Sequence, residues 1–333
     1  MIHVCAMKEA GVVSVLLVLL LAIAVIAEAQ QTGKVPRIGF LAAATTSAVA
    51  ARIEVFRHGL RELGYIEGKN VVVEWPSAEG KPDRLPALAA ELVRLKVDVI
   101  VTGGPTATRA AKEATSTIPI VMTQDSDPVG SGFVTSLARP GGNITGLSNL
   151  SSDLVGKRLE LLKEIVPRLS RVSVLGSSTQ PGNAEALREL ELTAGTFGVR
   201  LQYLDVLSSK DIETAFRAGS KGRAEAILVL GSPVLNSHRT QIADLAAKSR
   251  LLVIYDRLEY VEAGGLMSYA TSITALDRRA ATYVDKILKG AKPADLPVEQ
   301  PKTFELVINL KAAKQIGLTI PPNVLVRADK VIK

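Results

Sequence analysis

The chain has 333 residues, 47% hydrophobic and 22% charged, enough apolar material for two core-bearing units and too much for a disordered chain. The net charge is +7, but Lys and Arg are interspersed with Asp and Glu. No long basic run carries interleaved aromatics, so no nucleic-acid partner is expected.

The N-terminus speaks to compartment. Lys8 precedes an apolar run over residues 11–27, and Ala27-Glu28-Ala29 has the small-x-small form of a signal cleavage site. A signal peptide over residues 1–29 and export to the periplasm are expected. The alternative is an uncleaved anchor, because the run sits at the short end of a membrane span. Cys5, the only cysteine, precedes the run, so the exported chain would have no disulfide.

From residue 34 strands and helices alternate. Residues 37–41 read as a strand, followed by a small polar loop over 42–47. Ile53, Phe56, Leu60 and Leu63 then recur at helical spacing up to Gly64. A second strand covers 71–75, and Asp83 is expected to cap a helix carrying Leu85, Leu88, Leu92 and Leu95. Val97, Val99, Ile100 and Val101 form a short apolar run, the mark of a strand buried on both faces. Gly103-Gly104-Pro105-Thr106 breaks it and opens an alanine-rich helix, since Pro is tolerated in a first helical turn. Another strand, 118–122, ends in the polar loop 123–128. Residues 144–147 read as an extended crossing segment.

A second set follows on a similar plan. Ser152 or Asp153 is expected to cap a helix with Val155, Leu159, Leu162 and Val166 on one face. Strands are expected at 172–175, 199–206, 226–230, 251–256, 266–269 and 304–310. Ser208 with Asp211, and Thr274 with Asp277, have capping-box spacing. The fold class that results is α/β, with two doubly wound parallel-sheet lobes. One large sheet is the alternative.

Catalytic and metal-binding patterns are not found. His3, His58 and His238 stand apart without metal spacing. Gly130-Ser131-Gly132 lacks the third glycine of a dinucleotide loop, and Gly156-Lys157 lacks the first glycine of a phosphate loop. No Gly-x-Ser-x-Gly elbow occurs. Asp125 and Asp127 could pair as carboxylates, but a loop Asp before Pro128 more often caps a turn. No cofactor is expected, and no enzymatic activity. What remains is the profile of a solute receptor.

Long stretches also carry a resemblance. Residues 56–65 (Phe-Arg-His-Gly-Leu-Arg-Glu-Leu-Gly-Tyr), 127–132, 136–146 (Ser-Leu-Ala-Arg-Pro-Gly-Gly-Asn-Ile-Thr-Gly), 157–164 and 283–297 resemble the substrate-binding proteins of ABC transporters of the tryptophan/tyrosine type. The resemblance covers nearly the whole exported chain. It implies a type I periplasmic-binding fold with a three-segment hinge, crossing near Gly146, near residues 268–271 and near Leu296. Lobe 1 would comprise residues 34–146 and 270–294, and lobe 2 residues 147–269 and 295–333. It further implies a small-molecule solute, an ABC permease in the inner membrane as partner, and a monomer. An aromatic amino acid is suggested; a small or branched solute is equally allowed. A ligand-sensing domain for a separate signalling partner, or a secreted two-lobe enzyme, are the alternatives.

In such a fold the solute meets loops at the carboxyl ends of strands from both lobes. Those are Thr45, Thr46, Ser47, Gly104, Pro105, Thr106, Ser126 and Asp127 in the first, and Ser178, Asn183, Ser232, Tyr255 and Asp256 in the second. Helix N-termini among them favour a carboxylate, and Asp127 and Asp256 are candidates for an ammonium group.

Overall fold

The computed structural model describes residues 34–333, so the expected signal segment lies outside the described residues. Five strands form a first sheet: β1 (Arg37–Leu41), β2 (Val72–Glu74), β3 (Val99–Thr102), β4 (Ile120–Asp125) and β5 (Ile144–Ser148). All are parallel, in the order β2-β1-β3-β4-β5. The interior strands are buried on both faces, which explains the short apolar runs at 99–101 and 120–122. Helices α1 (Thr46–Glu62), α2 (Leu85–Arg94) and α3 (Pro105–Ala114) make the crossovers.

The second sheet has seven strands. After α4 (Val155–Ile165) come β6 (Arg171–Gly176), α5 (Asn183–Phe197), β7 (Arg200–Asp205), α6 (Ser209–Lys221) and β8 (Ala226–Val229). The short α7 (Pro233–Ser237) and α8 (Arg239–Lys248) lead to β9 (Leu252–Tyr255), α9 (Leu258–Glu262) and β10 (Met267–Ala270). After α10 (Ile273–Leu288), β11 (Glu305–Asn309), α11 (Leu310–Gln315), α12 (Pro322–Leu325) and β12 (Lys330–Ile332) close the chain. The order is β12-β11-β10-β9-β8-β6-β7.

One pair in this sheet is antiparallel: β11 runs against β10, pairing Glu305 with Ala270 and Ile308 with Met267. The reason is the path between them. The chain leaves β10 at its carboxyl end, spends α10 on the first sheet, and returns at that same end. It can only re-enter the sheet in the opposite direction.

Helix α10 belongs to the first sheet because its apolar face fits there. Leu276, Ala280, Tyr283, Val284 and Ile287 join Phe40, Phe56, Val99 and Val121 in one core layer. Each large aliphatic buried this way contributes about 1.5–3 kcal/mol. Gly59 of α1 permits the approach of the two helices, since a Cβ there would stand 2.8 Å from the Arg278 carbonyl oxygen. A second layer covers the other face of this sheet with Leu85, Leu92, Ala107 and Ala111, and two further layers sandwich the second sheet.

The chain therefore passes between the sheets at 149–154, 271–272 and 300–304. The first passage differs from the expected one near Gly146, because residues 144–148 are a full strand paired with β4. The last lies beyond Leu296, because Glu299 still bridges Leu147. Caps also differ in part. Asp211 accepts from the Ser208 backbone N–H at 2.8 Å, as the spacing predicts. The Thr274/Asp277 box does not form: Ser272 caps α10, and Asp277 turns inward to an arginine. Neither Ser152 nor Asp153 caps α4, whose first turn is preceded by Leu154. Asp83 lies within a 3-10 turn, not at a side-chain cap.

Candidate functional site

In a doubly wound sheet the strand order reverses at one point, and the loops on either side diverge to leave a crevice. In the first sheet that point lies between β1 and β3, and in the second between β6 and β8. The loops after these four strands face one another across a cleft. Ala43, Ala44, Gly104 and Thr106 come from one side, and Gln180, Ser232, Pro233 and Asn236 from the other.

Three hydrogen bonds span the cleft. Thr106 Oγ1 donates to Gln180 Oε1 at 2.5 Å, Arg257 Nη1 donates to Gln124 Oε1 at 2.8 Å, and the Thr45 backbone N–H donates to Ser237 Oγ at 3.2 Å. The space divides in two. A front chamber has a partly apolar wall of Ala43, Ala48, Val49, Pro105, Pro233 and Tyr260. A rear chamber is strongly polar, with Ser126, Asn149, Ser151, Ser152, Asn183 and Asp256 on its walls. Pro105, Gln124, Gln180 and Arg257 border both.

Two buried ion pairs edge the cleft. Arg52, on the core-facing side of α1, lines the front chamber and donates to Asp277 from Nε at 2.7 Å and from Nη2 at 3.0 Å. Arg257 Nε meets Asp256 Oδ2 at 3.3 Å, a single and longer contact. Asp256 is only 5% exposed, and its Oδ1 has no hydrogen-bond partner. Burial pushes its carboxyl pKa up, against the pull of Arg257 and Arg158. Gly231 leaves room for this carboxylate: a Cβ there would stand 2.2 Å from Asp256 Oδ2.

Behind the rear chamber lies Arg158, fully buried. It donates to the Tyr269 carbonyl at 2.9 Å, the Ser151 carbonyl at 3.0 Å and Ser151 Oγ at 3.3 Å. Burial lowers its pKa to about 10, so it stays charged at neutral pH with neutral oxygens as its partners. Asp125, at the end of β4, is a buried acid whose pKa burial raises to about 8, partly offset by the Thr108 hydroxyl.

The expected residues divide. Gly104, Pro105, Thr106 and Ser232 line the front chamber; Pro105, Ser126, Asn183 and Asp256 line the rear. Thr45 is drawn to the cleft's edge through its backbone, while its hydroxyl caps α1. Thr46 is exposed and bonded to Glu79. Ser47 faces only the wider groove outside the cleft. Three expectations are corrected. Asp127 accepts from the Gly130 N–H at 2.8 Å and lines neither chamber, because the Pro128 turn folds it back on its own loop. Ser178 is spent on Asp205, at 2.6 Å. Tyr255 is fully buried and stacked on Tyr260 at 4.7 Å, because it is the last inward residue of a strand covered on both faces.

Gln180, within the expected loop 178–183, lines both chambers, while residues not expected at the site include Arg52, Gln124, Arg257, Glu259 and Tyr260. For Arg52 and Arg158 a signal exists: each is a charged residue at a core-face position of an amphipathic helix, where unpaired charges are almost never found. Glu259 and Tyr260 sit on α9, a single short turn of helix without a periodicity of its own.

Among the described residues no group of three or more His, Cys, Asp or Glu could hold a metal ion, and no helix is long and apolar enough to cross a membrane.

Comparison with known proteins bears on this geometry. A tyrosine-binding protein of Clostridioides difficile is 25% identical over 263 residues, covering 79% of this chain and 75% of its own. A conserved domain protein of Vibrio cholerae superimposes with a TM-score of 0.85 at 32% identity, over 90% of this chain and 100% of that one. An ABC domain of Streptococcus pneumoniae, solved in complex with L-Trp, superimposes with a TM-score of 0.80 at 28% identity, over 89% of this chain and 100% of that one. The family model for ABC transporter substrate binding proteins matches residues 37–332. With two α/β lobes of the type I periplasmic-binding fold meeting at their strand ends, the chain belongs to the family of ABC transporter substrate-binding proteins.

Proposed function

We propose that this receptor captures an amino acid between its lobes and delivers it to an inner-membrane permease. The carrying observation is the cleft itself: charges of both signs border it, Glu259 against Arg52, Arg239 and Arg257 at the front chamber with its partly apolar wall, and Asp256 against Arg257 at the rear one. A zwitterion with an apolar side chain suits both. The named ligands of two relatives, tyrosine and L-Trp, support the same class.

The lobes are taken as the two sheets with their covering helices, hinged at 149–154, 271–272 and 300–304. Solute that touches both lobes favours the closed arrangement by its differential affinity for it. The three hydrogen bonds across the cleft belong to that arrangement. Residues 1–29 are taken as an export signal, so the receptor would work in the periplasm with Gln30 as its first residue.

Calorimetry with the L-amino acids tests the reading, together with small-angle scattering before and after saturation. The expected result is tight binding of an aromatic amino acid and a smaller radius of gyration. A chain that binds no amino acid but does bind a sugar would overturn it. A thermal-shift screen finds candidates, since solute at a hundred times its Kd adds about 2.7 kcal/mol.

A further inference from the structure

Resting on the reading that the lobes close over the solute, we propose that Asp125 couples this closure to a proton: the closed cleft holds its carboxyl protonated, and the open cleft releases the proton to solvent.

The carboxyl is built to be neutral. Asp125 ends β4 and is wholly withdrawn from solvent. The β4–β5 ladder slips between Met122 and Asp125, and such a slip re-aims a side chain, here toward α3. Thr108 Oγ1 donates to Asp125 Oδ2 at 3.0 Å, but the same hydroxyl lies 3.2 Å from the Gly104 carbonyl, so its one proton is shared. Oδ1 meets no donor. The surrounding elements bring no compensating charge. Thr102 of β3 bonds Thr108 at 2.6 Å, β5 offers Ser148, and the first hinge passage offers Asn149. The charged residues of α3, Arg109, Lys112 and Glu113, are exposed on its outer side. Arg52 and Asp277 are turned to each other, Arg257 stops at Gln124, and Asp127 is held by Gly130. A buried carboxyl with neither a cation nor full hydrogen bonding favours its neutral form, and burial raises this pKa to about 8.

That burial depends on the opposite lobe. Both chain neighbours of Asp125 are covered from across the cleft. Gln124 Oε1 accepts from Arg257 Nη1 at 2.8 Å, and Gly182, at the start of α5, lies so close to Ser126 that a Cβ would collide with its hydroxyl. Thr106, one turn before Thr108 on α3, is held by Gln180. The Asp125 carbonyl accepts from the Asn149 N–H of the first hinge passage. Opening about that passage withdraws Arg257, Gly182 and Gln180 from the strand end, and water reaches the carboxyl. The hydrated acid returns toward the ordinary carboxylate range and loses its proton at neutral pH. Between the open and the closed values, closure therefore takes up a proton. Affinity is highest on the acid side of this window, falls as pH rises through it, and levels off above the closed-state value of about 8.

Calorimetry of L-tyrosine and L-tryptophan binding to the full receptor, repeated in buffers of different ionisation enthalpy, counts the protons. At pH 7 wild type should take up most of a proton per solute bound, and from pH 6 to pH 8 its affinity should fall at least about fivefold. Asp125→Asn, which keeps the shape and stays neutral, should bind with a flat profile and without that uptake. His238, bonded to the Val234 carbonyl, titrates alike in both proteins and cancels in the difference. A wild type whose affinity is level over this range would overturn the coupling while the amino-acid reading stands, and so would an Asp125→Asn variant that keeps the wild-type uptake. Binding of neither amino acid would overturn the amino-acid reading alone, because closure can also be followed without solute. Small-angle scattering should then show wild type expanding from pH 6 to pH 9 and Asp125→Asn holding one radius; a wild type of constant radius would overturn the coupling. The wild-type profiles suffice should the variant fold poorly.

Discussion

Two buried ion pairs border the same cleft, and they are built differently. Arg52 and Asp277 form a closed pair: two parallel hydrogen bonds, both side chains almost wholly buried, and a further contact from Arg52 Nη2 to Thr123 Oγ1. Asp256 and Arg257 form an open one: a single contact at 3.3 Å, an unmet carboxylate oxygen, and a guanidinium that reaches across the cleft to Gln124. A pair whose hydrogen bonds are satisfied internally ties elements together, here α1 to α10. A pair left incomplete at a cavity keeps hydrogen-bonding capacity that the fold itself does not use. The open pair also touches both lobes, since Arg257 reaches Gln124.

The largest effect is expected from breaking the closed pair. Asp277→Ala leaves Arg52 charged and uncompensated in the core, which costs about 3–5 kcal/mol. Urea denaturation without solute should register it as a lower midpoint at unchanged slope. A variant as stable as wild type would mean that water reaches Arg52 and the pair is not structural.

The open pair should respond oppositely. Gly231→Ala drives a methyl group onto the Asp256 carboxylate, and overpacking of this kind costs about 1–3 kcal/mol. Most of that should appear as weaker binding of the cognate amino acid in calorimetry. Equal affinity with a lower melting temperature would remove the distinction between the two pairs.

A third comparison concerns the buried acid Asp125, beside the first hinge passage, where the Asn149 N–H donates to its carbonyl. Burial raises its folded pKa to about 8, well above that of the unfolded chain. Between those values the folded state holds the proton that the unfolded state has released, so stability falls as pH rises toward 8 and levels off above it. Asp125→Asn should flatten that part of the stability curve. Parallel pH dependence in the two proteins would show that Asp125 is ionised in the fold.

The smallest effects sharpen the boundary of the site. Asp127→Ala removes the acceptor for the Gly130 N–H and should cost about 1 kcal/mol of stability with no change in affinity. Thr106→Val deletes one hydrogen bond between the lobes and should weaken solute binding by about 1 kcal/mol through a less favoured closed state. Calorimetry separates the two, since only the second should move the Kd.

Much of this was legible in the residues alone. Short apolar runs at 99–101, 120–122 and 251–255 marked strands covered on both faces, and the three- and four-residue spacing of Leu and Val marked the helices between them. Such patterns are local: a strand or helix carries its burial in its own period. Long motifs such as residues 136–146 and 283–297 carried the family. That a cleft opens at the carboxyl ends of strands was legible too, because doubly wound sheets leave a crevice where their strand order reverses.

Which residues of those loops line the cleft was decided only by the tertiary structure. Loop side chains have no period, and their direction depends on partners far away in sequence. Asp127 and Asp256 are the same residue type at equivalent strand ends, yet one folds back onto Gly130 and the other is left incomplete in a buried chamber. The antiparallel entry of β11 and the inward turn of Asp277 are of the same kind, since each follows from α10 packing on the first sheet. Sequence by itself determined the periodic elements and the family. The three-dimensional packing decided the charges at the cleft, because a charge 225 residues away from its partner finds it only when both helices are in place.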